Sequence, residues 1–129
     1  MKNVFYLIAG LLFVVLAITH TWFGLETALP ILHGSDIDIN ITTVFTFQLH
    51  MIGVQDLIYG IAAIIMSFQK DLAKVKFVAL LLTAIMLTRW VIMTIVTISY
   101  GSISDLLTSS IAFLVLIVLL LLGARVKSK

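Results

Sequence analysis

Four stretches of this chain stay apolar for longer than any water-facing element does. Residues 4–18 contain nothing more polar than Tyr6, and the run resumes after Thr19, His20 and Thr21. Comparable stretches follow at 42–68, 77–98 and 106–122, the last unbroken from 111 to 122. At about 1.5 Å of rise per residue, helices of such lengths match a hydrocarbon core about 30 Å thick. With 62% hydrophobic and 11% charged residues among 129, a soluble fold would leave too much apolar surface in water, so the bilayer is the expected solvent. The sequence predicts an all-α polytopic membrane protein, one domain over residues 1–129. Its expected architecture is a four-transmembrane-helix up-down bundle with spans at about 4–25, 42–68, 77–98 and 106–122. Lys2 followed by an apolar run also resembles a signal peptide. The run exceeds the usual core of ~7–15 residues and no small-x-small cleavage site follows, which favours a span.

The connections carry the topology. Residues 26–41 are marked by Pro30, Gly34 and Ser35, and contain Asp36 and Asp38 but no Lys or Arg. Their apolar members, Leu29, Ile31, Leu32, Ile37 and Ile39, predict a loop lying along the interface. A basic connection follows at 69–76, and a turn at 100–105 offers Ser104 or Asp105 as a helix N-cap. An even number of spans places both termini on one side. Lys2, Lys70, Lys74, Lys76, Arg125, Lys127 and Lys129, seven of the eight basic residues, then share that side. Glu26, Asp36, Asp38 and Asp105 share the other. The positive-inside rule predicts cytoplasmic termini, in what is expected to be a bacterial cytoplasmic (inner) membrane.

Within lipid, helices associate through small residues and polar contacts. Gly10, Ala17 and Gly24 recur every seven residues in the first span, as do Thr46, Gly53, Gly60 and Ser67 in the second. Two such seams suit an antiparallel left-handed pair. His20 lies between Ala17 and Gly24, and His50 between Thr46 and Gly53, so both are expected to face inward and to meet. The fourth span has small residues only near its start, at Thr108, Ser109, Ser110 and Ala112, and is expected to face lipid most. Asp56, near mid-bilayer, and Arg89 are costly there, on the order of 3 kcal/mol each, which predicts that they pair. That pair reads either as a register-fixing ion pair or as a ligand or proton site. The histidines read either as interhelical hydrogen bonding or as ligands to haem iron or a divalent metal. Gln48, Gln55 and Tyr59 point roughly opposite to His50, giving the second span two polar sides. Trp22, Trp90 and Tyr100 read as interfacial anchors, with Trp90 deep for that role.

The chain has no cysteine, which removes disulfides, thiolate metal sites and cysteine nucleophiles. No nucleophile with a paired base stands out, which points away from an enzyme, and the few basic residues follow topology rather than nucleic acid. The leading expectation is a ligand-binding membrane protein with an outer-half polar cavity for a lipophilic or redox ligand of haem or quinone type. His20, His50, Asp56, Arg89, Gln55 and Trp90 would line it, with His20 and His50 as the metal candidates. A noncatalytic subunit or assembly factor of a larger membrane complex is the alternative. An oligomeric proton or small-solute transporter is the third. The bilayer and a homo-oligomer or larger complex are the expected partners.

Overall fold

A computed structural model describes residues 3–101 and 103–126. Among them every regular element is helical: α1 (Val4–Phe23), a π-helical turn (Gly24–Ala28), α2 (Leu29–Gly34), α3 (Ile39–Phe68), α4 (Leu72–Tyr100) and α5 (Ile103–Arg125). Three helical segments are long and apolar enough to cross a membrane: Val4–Gly34, Ile39–Phe68 and Leu72–Ser99. Ser109–Arg125 is a shorter apolar helix. Lys2, Lys127 and Lys129, part of the charge argument for topology, lie outside the described residues.

The first helix corrects the expected loop at 26–41. Only Ser35 to Asp38 are non-helical there. Pro30 is by itself a breaker, since it has no N–H to give and its ring crowds the carbonyl four residues back. The chain answers by widening one turn: the Leu29 N–H reaches back five residues to the Gly24 carbonyl, and Pro30 then sits in the first turn of α2. A π turn lets helix run through a residue that would otherwise end it. The break comes later, where the Ser35 hydroxyl donates to the Leu32 carbonyl at 2.7 Å. Asp38 then opens α3 by accepting from the Asn40 N–H at 2.8 Å.

The other boundaries move outward in the same way. α4 starts at Leu72, within the expected basic connection, because Asp71 caps it by accepting the Lys74 N–H at 3.2 Å. That backbone donor, with the Lys74 side chain in support, holds the Asp71 carboxyl below its usual range. α5 starts at Ile103, which places Ser104 and Asp105 inside its first turn rather than at its cap.

The chain forms two compact units, Gly10–Ala62 and the pair of segments Met1–Ala9 and Ala63–Lys129. In the latter, terminal unit, α4 and α5 form an antiparallel hairpin that buries Val75, Ala79, Leu82 and Met86 of α4 with Leu116, Ile117 and Leu120 of α5. The start of α1 is fastened there: the Asn3 N–H donates to the Ser67 carbonyl and Asn3 Nδ2 to the Gly123 carbonyl, both at 2.9 Å. Gly123 lies flat against the Tyr6 ring with no room for a Cβ. The fourth apolar helix thus packs through a small residue near its end, Gly123.

Candidate functional site

In the Gly10–Ala62 unit α1 and α3 run antiparallel along the two seven-residue seams. A Cβ on Gly60 would stand 2.9 Å from the Gly10 carbonyl oxygen, and one on Gly53 would stand 3.5 Å from that of Ala17. Gly24 faces Leu49 one turn further out. Gly10, Ala17, Gly53 and Gly60 of the seams predicted from spacing therefore form the contact between these helices. Tyr59 closes one flank, its ring edge-on to Phe13 at 5.9 Å.

Across the contact His20 meets Asp56 rather than the expected His50. His20 Nδ1 lies 2.9 Å from Asp56 Oδ2. Asp56 is the buried member, its side chain 3% exposed against 43% for His20. His50, expected to meet His20, is exposed on α3. The reason is geometric. His20 stands three residues after Ala17 and Asp56 three after Gly53, so each is turned about 60° from its seam in the same sense along its own chain. In an antiparallel pair those equal offsets fall on the same flank of the contact. His50 stands three before Gly53, the opposite offset, and falls on the other flank.

Side-chain direction completes the dyad. Cβ atoms tilt toward the N-terminus of their own helix. On antiparallel helices the two tilts converge, so His20 leans down toward Gly53 and Asp56 leans back toward the same turn. The signal was present in the spacing: Asp56 sits between Gly53 and Gly60 as His20 sits between Ala17 and Gly24.

The remaining expected site residues fall as follows. Gln55 is half-buried on α3, beside Asp56. Arg89 and Trp90 lie in the terminal unit: the Arg89 guanidinium stands over the Phe113 ring at 5.8 Å, and Trp90 Nε1 donates to Ser110 Oγ at 2.9 Å. Trp90 thus ties α4 to α5, and Trp22 is 68% exposed. No group of three or more His, Asp or Glu side chains comes together among the described residues in a way that could hold a metal ion.

The dyad has definite chemistry. A buried carboxylate at Nδ1 fixes the ring orientation and favours the tautomer with hydrogen on Nδ1. In the neutral ring Nε2 is then an acceptor; in the imidazolium Nε2 is a donor. One atom can thus accept from a hydroxyl or donate to a carbonyl according to its charge. Comparison with known protein families, with curated proteins and with solved structures finds no match.

Proposed function

We propose that this chain is a small integral membrane protein of four spans, termini on the cytoplasmic side of a bacterial inner membrane, that binds a lipophilic redox ligand of quinone type at His20 and Asp56. The observation that carries the reading is the 2.9 Å contact from a half-exposed imidazole to a buried carboxylate, placed on helices long and apolar enough to cross a membrane. An ionisable pair with its carboxylate buried on such a helix is a functional site by default. A quinone needs a greasy wall and few polar contacts, and its oxidised and reduced forms present a carbonyl and a hydroxyl respectively. His20 Nε2 answers both. The opposite flanks of His20 and His50 favour this ligand over haem held between two histidines. Lys70, Lys74, Lys76 and Arg125 at one end, against Glu26, Asp36 and Asp38 at the other, support the orientation.

The test is titration of the detergent-solubilised protein with a short-chain quinone, followed by quenching of tryptophan fluorescence; Trp22 is two residues from His20. Saturable quenching that weakens by up to about tenfold in His20→Phe is expected, because one hydrogen bond contributes roughly 0.5–1.5 kcal/mol. Saturable binding that His20→Phe leaves unchanged would sink the site, and a Soret band in the protein purified from haem-sufficient cells would sink the ligand.

A second reading, a subunit of a larger membrane complex, rests on a separate observation. Gln48 and His50 are exposed on α3 among the exposed Phe45 and Phe47. Polar groups facing lipid are costly, and a partner helix would satisfy them. Mild-detergent purification from the native source tests it: a stoichiometric partner supports it and a lone monomer counts against it.

A further inference from the structure

The terminal unit contains a cavity of about 600 Å³ whose wall includes Tyr6, Lys76, Leu80, Leu121, Gly123 and Arg125. The start of α1, the first turns of α4 and the end of α5 all meet there. Two cationic side chains and no carboxylate line it. Tyr6 is 1% exposed, and its hydroxyl is buried without a hydrogen-bond partner among the described residues. A buried donor left unmatched costs free energy that an arriving acceptor would recover.

We infer that this cavity holds the phosphate headgroup of an anionic phospholipid, with Lys76 and Arg125 neutralising the phosphate and the Tyr6 hydroxyl donating to it. Charge selects the sign of the ligand, and the apolar wall selects a lipid over a free anion. Leu80 and Leu121 are 46% and 38% exposed, and they carry the wall along α4 and α5 in the direction an acyl chain would take. Basic pockets on the cytoplasmic side of helical membrane proteins suit such headgroups, since the anionic leaflet surface concentrates them there. The inference uses none of the residues of the His20–Asp56 dyad.

Native mass spectrometry of the full chain, released from detergent micelles doped with dioleoylphosphatidylglycerol or dioleoylphosphatidylcholine, tests it. One retained phosphatidylglycerol per chain is expected, at least about tenfold preferred over phosphatidylcholine. The double variant Lys76→Gln/Arg125→Gln is expected to weaken retention roughly thirtyfold, from the attraction per basic residue. Tyr6→Phe, which preserves the ring packed on Gly123, is expected to weaken it about fivefold. Lys70→Gln, which alters a basic residue outside the cavity wall, should leave retention within twofold. An equal loss in Lys70→Gln would reduce the effect to general surface charge and overturn the site. Full displacement of the lipid by millimolar inorganic phosphate would make it a free-anion site instead. Retention unchanged in Tyr6→Phe and in the double variant would overturn it outright.

Discussion

Replacing Gly60 by alanine puts a methyl group where α1 has left no space for one. The new carbon would stand 2.9 Å from the Gly10 carbonyl oxygen, 2.9 Å from Val14 Cγ2 and 3.2 Å from Phe13 Cβ. The valine methyl can swing, but the carbonyl belongs to a helix backbone and cannot. Relief therefore requires the two helices to part by about half an ångström, and a gap of that size forfeits roughly a quarter of each dispersion contact along the seam. Overpacking of this kind costs about 1–3 kcal/mol. The gain in helix propensity from Gly to Ala returns about 0.5–1 kcal/mol, leaving a net loss on the order of 1–2 kcal/mol. Gly24→Ala is the matched control on the same seam: its new carbon would meet Leu49 Cβ at 3.8 Å, an ordinary contact, so only the propensity gain remains. The two substitutions should move stability in opposite directions. Reversible unfolding in mixed micelles with rising dodecyl sulfate, followed by far-ultraviolet circular dichroism, measures both. Gly60→Ala as stable as Gly24→Ala would refute the close approach of α1 and α3 at Gly10.

Two further outcomes follow from contacts elsewhere. Trp90→Phe removes the indole donor to Ser110 while keeping most of the ring, and should cost about 0.5–1.5 kcal/mol in the same unfolding assay; Ser110→Ala added to that variant should cost little more, and full additivity would show that the two do not interact. The Asp71 cap should depend on pH: its carboxyl is held low by the Lys74 N–H, so the cap is complete above the ordinary carboxyl range and lost as pH falls through its own lower value. Amide exchange at Lys74 should quicken over that acidic window, and Asp71→Asn, which still offers an acceptor oxygen, should abolish the pH dependence while keeping the protection.

The helices were legible because length and apolarity are read directly from residues, and the α1–α3 contact because glycine, alanine and threonine recur at a fixed interval. What the interval hides is handedness. A residue three after a seam position and one three before it look equally central in a list, yet they stand on opposite sides of the contact. That is why spacing alone pairs His50 with His20, although Asp56 carries the matching offset. Boundaries were misplaced for a different reason. Pro30, Gly34 and Asp71 are local signals whose effect depends on what the neighbouring turn can absorb, and a π turn at Gly24–Ala28 absorbed the proline. Residue type alone does not tell what Trp90 does, and only its distance to Ser110 shows a tie between helices. Gly123 escaped notice because one glycine has no period; it takes the Tyr6 ring opposite to give it meaning.

The widened turn has a mechanical side. A helix transmits rotation because each residue fixes the azimuth of the next by about 100°. One extra residue in a turn is a phase slip, and it falls where the seam ends: Gly24 still touches Leu49, whereas Ile31, the next position in the series of sevens, is 69% exposed. The segment from Leu29 to Gly34 thus continues the same helix out of phase with the seam that His20 follows. Deleting Ala28 would re-engage it, swinging the outer segment by about a quarter turn.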